Sequence, residues 1–432
     1  MRTGRILLFL AVWLPLSVPL SAQRSREAIL ADHAKAGGLM YVYDYKSEAP
    51  MTPAPKGYKP FYISHFARHG ARWVTSDRLE TVHKGLEKAA AEELLTPRGE
   101  KLRSDFAAYY ETAGLHQGEL TPIGVDQERT IARRMVKRFP AVFRGKPRAE
   151  AKSTTVPRVI FSMFSFLEGL EAEVRGIRVE RDASESFSQV LRPALNLKRR
   201  KSPSKTGGTY EDYFRESVDM DGILGRIFSD PGAALERCGI NGVTFICHLF
   251  DVKNGMGCLE APQGFIEGIF TEEDLVAVAR AGWNRLHRLL ARYEGSYSAR
   301  PDAAAYTLED IIEKADEDIA GGEVQLRLRF SHDSSVLPLA VLMDINGFGG
   351  TLHSPQEAFE ALPMWEMPMG GGLQLVFFRS RRSKDILVKV LWNEAEATLP
   401  IPSFSGPYYR WTDFRSFCLG RISQAKNNLS IN

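Results

Sequence analysis

The sequence predicts an α/β fold, in which a central, mostly parallel sheet is flanked by helices and interrupted by an inserted, mostly helical cap domain. Three observations predict this architecture. Strand and helix patterns alternate towards both ends of the chain, and helical patterns alone fill its middle. The length of 432 residues leaves room for two domains, or for one large domain that carries an insertion.

The same patterns predict four segments along the chain. They are a signal peptide at 1–22, a first part of the α/β domain at 23–165, a helical cap at 166–322 and a second part of the α/β domain at 323–432.

The first 22 residues have the pattern of a secretory signal peptide. Arg2 and Arg5 precede an apolar stretch over 6–20, and Ser21-Ala22 supplies small residues for cleavage. The alternative is an uncleaved membrane anchor, for which the apolar run is short. We therefore expect an exported protein, periplasmic or secreted, without stable membrane insertion after cleavage.

The first half of the chain carries clear boundary signals. Aromatic and β-branched residues predict a strand over 61–66. Helices are expected to begin at Thr96-Pro97 and Thr121-Pro122, where Thr is suited to the N-cap and Pro to the first helical position. A short strand over 149–155 and an apolar helix over 159–170 follow.

The middle of the chain is basic and then helical. Residues 192–208 are rich in Lys and Arg, and the part at 198–205 is expected to be a solvated loop. Helical patterns follow at 209–227, 240–250, 271–293 and 307–320. Strand patterns return at 324–330, 373–378 and 386–391.

Composition excludes several classes of protein. Hydrophobic residues make up 44% and charged residues 25% of the chain, which is ordinary for a globular protein. Because 56 basic residues face 53 acidic ones, no general basic field predicts binding to nucleic acid. Four cysteines favour structural thiols or disulfides over a metal site, and they allow three pairings that spacing cannot separate: Cys238, Cys247, Cys258 and Cys418.

Two histidines directly follow predicted strands, and ligands of open α/β sheets bind at the carboxyl ends of strands. His69 lies between Arg68 and Arg72, and two guanidinium groups beside an imidazole favour an oxyanion. His332 is followed by Asp333, an acid that can protonate a leaving group. Six of the other histidines are interpreted as structural, at 65, 248 and 353, or as surface residues, at 83, 116 and 287.

This set of residues suits the hydrolysis of phosphate monoesters. A neutral imidazole can attack an anionic phosphate without charge repulsion and form a covalent intermediate. Arginines neutralise the phosphate oxygens, and a carboxylic acid protonates the poor leaving group. The scheme requires no metal and no cofactor, and its partner is a small phosphate monoester.

The chain resembles the histidine acid phosphatases over roughly residues 55–420. Residues 68–72 match the signature R-H-G-x-R, and further matches occur in the family's order. They are the L-T-x-x-G-x-x-Q pattern at 120–127, Arg158 with Ser162 and the run at 166–170, and the pair His332-Asp333. Within the family, the C-terminal third is most similar to multiple inositol polyphosphate phosphatases, on the segments 374–379, 387–391, 393–394, 399–400 and 408–411.

The resemblance implies a role for each matched residue. It implies His69 as the nucleophile and Asp333 as the proton donor, with phosphate bound by Arg68, Arg72, Arg158 and His332. It also implies an α/β domain under a helical cap, and phytate or other inositol polyphosphates as substrates. One departure bears on the substrate, because members of the inositol polyphosphate branch carry His-Ala-Glu where this chain has His-Asp-Ser at 332–334.

Three alternative functions remain open. The first is a broad-specificity acid phosphatase without preference for inositol phosphates. The second is a phosphate- or polyanion-binding protein without activity, although both the nucleophile and the donor are present. The third is a phosphate-transferring mutase, which export disfavours. The sequence does not indicate the oligomeric state.

Overall fold

The structure of the protein is a computed structural model, and it describes residues 24–195, 210–260 and 264–431. The predicted signal peptide at 1–22 and the basic loop at 198–205 lie outside these residues. Within these ranges, no helix combines the length and apolarity needed to cross a lipid bilayer.

One mixed sheet of eight strands organises the described residues, and its main path has the order β3-β2-β4-β1-β5-β6-β7, with β8 paired to β6. The strands β3, β2, β4 and β1 are parallel, as predicted, whereas β5 to β8 continue the sheet in antiparallel pairs. The strands are β1 (Tyr58–Arg68), β2 (Arg148–Ser153), β3 (Arg178–Asp182), β4 (Leu326–Ser331), β5 (Gly372–Ser380), β6 (Leu387–Trp392), β7 (Ala395–Glu396) and β8 (Tyr408–Arg410).

Helices cover both faces of this sheet, and those that lie in the described ranges have the following bounds. They are α1 (Arg24–Ala31), α2 (Ser76–Ala91), α3 (Pro97–Ala113), α4 (Pro122–Arg138), α5 (Pro157–Glu173), α6 (Ser188–Leu191), α7 (Tyr210–Ser217), α8 (Met220–Gly225), α9 (Pro231–Arg237), α10 (Gly242–Gly255), α11 (Glu272–Leu290), α12 (Ala299–Ala303), α13 (Ala305–Ile319), α14 (Asp333–Met343), α15 (Pro355–Ala361) and α16 (Trp411–Ile431). A 3₁₀ segment, His33–Met40, also matters for the site.

The predicted helix starts are confirmed together with their caps. Thr96 accepts a hydrogen bond from the backbone N–H of Gly99, and Thr121 accepts one from that of Gly124. Each cap satisfies an N–H that the first helical turn leaves without a partner. The chain therefore enters α3 and α4 at the positions that the Thr-Pro pairs indicate.

Two apolar cores form because side chains alternate along the strands. On β1, Tyr62 and Phe66 belong to the core on one face, whereas Ile63 and Ala67 belong to the core under α4 and α5. The first core extends into the helices of the middle of the chain, so the sheet and these helices share one packed interior.

The predicted boundary between residues 165 and 166 falls inside α5, which packs against α4. The next strand, β3, pairs with β2 and extends the sheet. The sheet-forming part of this half of the chain therefore continues to Asp182. The helices α7 to α13 then fill most of the segment that we predict to be a cap.

One histidine lies elsewhere than predicted. His287 was expected at the surface, but it is fully buried on α11, where its Nε2–H donates to the carbonyl of Leu362 over 2.7 Å. Burial lowers the pKa of His287 to about 4, which keeps the ring neutral. Its charged neighbours Arg285 and Arg288 are more exposed, because they lie on other sides of the helix.

Candidate active site

The ends of two neighbouring strands bring both sequence motifs together. Strands β1 and β4 are parallel, and Arg68 pairs in register with Ser331. The backbone N–H of His69 donates to the carbonyl of Ser331 over 3.1 Å. The imidazole rings of His69 and His332 lie with their centroids 5.6 Å apart. Residues that are far apart in sequence therefore share one edge of the sheet.

The loop after β1 is held against the first turn of α4. The backbone N–H of Ala71 donates to Oε1 of Gln127 over 3.1 Å, and the carbonyl of Ala71 accepts from the hydroxyl of Thr121 over 3.1 Å. A Cβ at Gly124 would lie 2.2 Å from that carbonyl oxygen, so only glycine allows this approach. The second sequence motif thus positions the first.

A further contact fixes the loop from α5. The hydroxyl of Ser162 accepts from the backbone N–H of Gly70 over 3.0 Å and donates to the carbonyl of Arg158 over 2.8 Å. The loop that carries His69 and the helix that carries Arg158 are therefore joined through one side chain. Ser162 stands in a matched sequence motif, but its role becomes visible only in the structure.

The tautomer of His69 is set by its own loop. Its Nδ1 lies 2.9 Å from the carbonyl oxygen of Gly70, and because a carbonyl can only accept, Nδ1 carries the proton. The lone pair is then on Nε2. Burial lowers the pKa of His69 well below its usual value, and the charges of Arg68, Arg158 and Arg72 lower it further. The ring is therefore neutral and keeps its lone pair on Nε2.

Three arginines surround this ring. Arg68 is buried at the end of β1, where it donates to the carbonyls of Leu39 and Met367 over 2.6 and 2.8 Å. Arg72 donates to the carbonyl of Trp73, and Arg158 lies in the first turn of α5. Each of the three arginines has a buried Nε–H without a hydrogen-bond partner among the described residues.

The arginines also disfavour one another's charge. Burial lowers the pKa of Arg72 to about 10, with further lowering by Arg68 and Arg158. Burial also lowers the pKa of Arg158. Cations that are desolvated and crowded in this way are stabilised when an anion enters. The cluster is therefore suited to bind a phosphate group.

Asp333 completes the site at the first position of α14. Its Oδ2 lies 2.9 Å from a terminal nitrogen of Arg68, and its Oδ1 accepts from the backbone N–H of Ser334 over 2.6 Å. Burial alone raises the pKa of Asp333, but Arg68, His332 and Arg72 outweigh it and lower that pKa below its usual value. The carboxyl group is therefore ionised at neutral pH.

His332 is the N-cap residue of α14, and its Nε2 lies 3.3 Å from the hydroxyl oxygen of Thr154. Burial, followed by the charge of Arg158, lowers its pKa to about 3. A neutral His332 can donate a hydrogen bond to a phosphate oxygen without adding charge. All six residues that the sequence indicated thus lie in one cluster: Arg68, His69, Arg72, Arg158, His332 and Asp333.

A cavity of about 440 Å³ opens in front of this cluster, with Arg68, Arg72 and Asp333 in its lining. The opposite wall comes from α10, α11 and the segment His33–Met40. Arg78 and Asp251 face the cavity and form an ion pair of 2.6 Å. The volume is that of a site for a small molecule.

Several of these contributions are invisible in the sequence. The arm before β1 supplies the carbonyl of Leu39 to Arg68, and the loop before β5 supplies that of Met367. Both act through backbone oxygens, which every residue type carries. The side chains that hold the loop did leave a signal, since Thr121, Gly124, Gln127 and Ser162 all stand in the matched patterns.

The cysteines form no disulfide in the structure, and all four are free thiols. Among the residues that the structure describes, no group of three or more His, Cys, Asp or Glu side chains lies close enough to hold a metal ion.

Solved structures resemble this fold over nearly the whole chain. The multiple inositol polyphosphate phosphatase of Bifidobacterium longum aligns with a TM-score of 0.67 and 17% identity, covering 89% of this chain and 97% of that one. The phytase of D. castellii aligns with a TM-score of 0.69 and 14% identity, covering 90% and 85%. The phytase of Hafnia alvei aligns with a TM-score of 0.54 and 13% identity, covering 86% and 99%.

The chain has the fold of the histidine acid phosphatases. No protein-family model matches the sequence, and no curated protein matches it. The likeness is therefore one of fold.

Proposed function

We propose that this protein is an exported phosphomonoesterase, which hydrolyses phosphate monoesters through a phosphohistidine intermediate on His69 with Asp333 as the proton donor. One observation carries the proposal. Three arginines, Arg68, Arg72 and Arg158, lower the pKa of a neutral imidazole whose Nε2 is unprotonated, and each has a buried Nε–H without a partner. A phosphate group satisfies these donors and meets a nucleophile at the same place.

In the first step, the lone pair on Nε2 of His69 attacks the phosphorus of the ester. The bond between phosphorus and the alcohol oxygen breaks, and its electron pair leaves with that oxygen. Asp333 then gives its proton to the oxygen, so the alcohol departs neutral. The hydrogen bond from Nδ1 to the carbonyl of Gly70 stabilises the ring as it becomes positively charged.

In the second step, Asp333 acts as a base. Its carboxylate takes a proton from a water molecule, whose oxygen attacks the phosphorus of the phosphohistidine. The bond to Nε2 breaks, which returns His69 to its neutral form and releases inorganic phosphate. Asp333 holds that proton until phosphate leaves, and its carboxyl group then ionises again.

The proton that Asp333 needs can enter with the substrate. The neighbouring cations lower the pKa of Asp333. A bound phosphate offsets those cations, and a monoanionic phosphate carries a proton with a pKa of about 6. Transfer of that proton to Asp333 gives the phosphate its full negative charge, which the arginines stabilise. It also leaves Asp333 protonated, so that it can act as the donor.

Inositol polyphosphates such as phytate are the substrates that the resemblance and the names of the structural neighbours suggest. Export rests on the sequence pattern of residues 1–22. N-terminal sequencing of protein exported by a bacterial host tests it, since cleavage after Ala22 leaves Gln23 as the first residue.

The proposal is tested by phosphate release from an aryl phosphate and from phytate, at mildly acidic pH with a chelator present. We expect turnover by the parent and its complete loss in His69→Ala. His248→Ala is the matched control, because His248 also faces the cavity but lies outside the arginine cluster. A folded parent that binds phosphate without releasing product from either substrate would instead be a binding protein.

A further inference from the structure

We propose that a second anion-binding site lies at the other end of the sheet, and that it binds a compact polyanion carrying several closely spaced phosphate or sulfate groups. A groove of about 1140 Å³ is formed there by four chain segments. They lie at 56–62, 141–147, 318–325 and 379–382.

Most of the charged side chains that line the groove are positively charged. Seven Lys and Arg side chains line it, and all seven are exposed: Lys56, Lys59, Arg144, Lys146, Arg379, Arg381 and Arg382. The acid in the lining is Asp318, which is already bonded to Arg327 over 2.8 Å. Its charge is therefore compensated away from the groove.

These seven cations also differ from others on the surface. Exposed cations such as Lys84 and Lys101 pair with acids one helical turn away. In the part of the chain that the structure describes, no carboxylate lies within 4.0 Å of any of the seven. A concave surface lined by one sign of charge concentrates its electrostatic field, and this favours a multivalent anion.

The size and composition of the groove indicate the class of ligand. A single phosphate would leave most of the seven charges unneutralised, so the ligand carries several anionic groups. Four of the cations are arginines, whose planar forks match phosphate and sulfate oxygens. A ligand of closely spaced phosphates or sulfates, either a small molecule or a segment of polysaccharide, meets both requirements.

Two macromolecular alternatives are disfavoured by the same lining. Membrane binding usually adds exposed apolar side chains, and none of the large exposed apolar residues of the described ranges lines the groove. Single-stranded nucleic acid needs free aromatic faces for stacking. Here the ring of Phe61 is covered by Arg379 at 4.8 Å, and Tyr62 is buried.

The groove is separate from the proposed active site. It lies at the start of β1 and the end of β5, whereas His69 follows the other end of β1. A strand of 11 residues is about 35 Å long, so one small ligand cannot occupy both places. The inference therefore does not depend on the proposed phosphatase activity.

The test is binding of a labelled sulfated oligosaccharide, with inorganic phosphate added to occupy the catalytic site. We expect salt-sensitive binding to the parent chain and a loss of affinity of at least about tenfold in Arg381→Glu/Arg382→Glu. The control is Lys84→Glu/Lys101→Glu, which changes the net charge equally on helices outside the groove and should bind within about twofold of the parent. Aryl phosphatase activity of the groove variant should match that of the parent.

Competition by inositol hexasulfate distinguishes a small-molecule ligand from a polysaccharide segment. If inositol hexasulfate displaces the oligosaccharide at low concentration, the ligand of the groove is a small polyanion. Equal losses in the groove variant and in the control would overturn the proposal, because net charge alone would then explain binding. Tight binding of anionic vesicles or duplex DNA that depends on Arg381 and Arg382, with no binding of either sulfated probe, would also overturn it.

Discussion

Replacing Asp333 with Asn separates proton donation from phosphate binding. The amide keeps the size of the side chain, and its oxygen can still accept from the backbone N–H of Ser334. Arg68 retains its two carbonyl partners, Leu39 and Met367. The variant should therefore fold and bind phosphate at least as tightly as the parent, since a negative charge beside the site has been removed.

The expected loss depends on the leaving group. The alcohol released by an alkyl ester has a pKa near that of water, about 15.7, whereas a phenol has one of about 10. A general acid contributes about 10²- to 10⁴-fold where protonation is needed, equivalent to about 3 to 5 kcal/mol. We expect a loss of this size for an alkyl phosphate, and a loss below about tenfold for p-nitrophenyl phosphate, whose leaving group is a stable anion.

The assay compares kcat/KM for the two esters in parent and variant. This ratio covers the steps up to loss of the alcohol and is insensitive to hydrolysis of the phosphohistidine. Asp251→Asn is the matched control, because Asp251 also faces the cavity but pairs with Arg78. It should affect both esters equally. Equal losses on both esters in Asp333→Asn would refute the donor role.

Three further predictions concern the pH dependence of activity, the loop after β1 and the buried carboxyl group of Glu128. Above about pH 6, kcat/KM should fall by about tenfold per pH unit, because the substrate then lacks the proton that Asp333 needs. A pH–rate series in which kcat/KM stays constant up to pH 8 would contradict this source of the proton. Gln127→Ala should lower kcat by about 10- to 100-fold and the free energy of unfolding by about 1–3 kcal/mol, because the N–H of Ala71 loses its partner. Steady-state kinetics and denaturant titration measure the two effects. An unchanged kcat would show that the loop keeps its position without Gln127. Glu128 has both carboxyl oxygens buried without a partner, and burial followed by the charge of Glu394 raises its pKa well above 4.5. The native state therefore keeps a proton that the unfolded chain releases above about pH 4.5, so this group makes the protein less stable as pH rises. Glu128→Met should consequently raise the Tm more at pH 7 than at pH 4. An equal rise in Tm at both pH values would exclude the raised pKa of Glu128 as the cause.

The sequence predicts the parts of this molecule whose signals are local. A Thr-Pro pair places the starts of α3 and α4, because both the cap and the first helical position depend on neighbouring residues. Strand ends place His69 and His332, because the carboxyl ends of parallel strands share one edge. These rules locate the candidate site without any knowledge of tertiary contacts.

The parts that the sequence does not predict depend on long-range packing. The carbonyl of Leu39 reaches Arg68 from an arm 29 residues earlier in the chain. The burial of His287 depends on its contact with Leu362, which is distant in sequence. The cations that line the groove at the other end of the sheet come from separate chain segments. The near-neutral composition conceals that groove, since charge balance over the whole chain does not show where the charges lie.

The most direct test of the central claim is to trap the phosphorylated enzyme. Asp333→Asn should slow hydrolysis of the phosphohistidine, so mixing it with p-nitrophenyl phosphate and quenching in base should preserve the intermediate. Peptide mapping by mass spectrometry is then expected to find one phosphate, on His69, and none in the double variant with His69→Ala. Turnover by the parent with no phosphate on His69, or with phosphate on a different residue, would contradict the proposed mechanism.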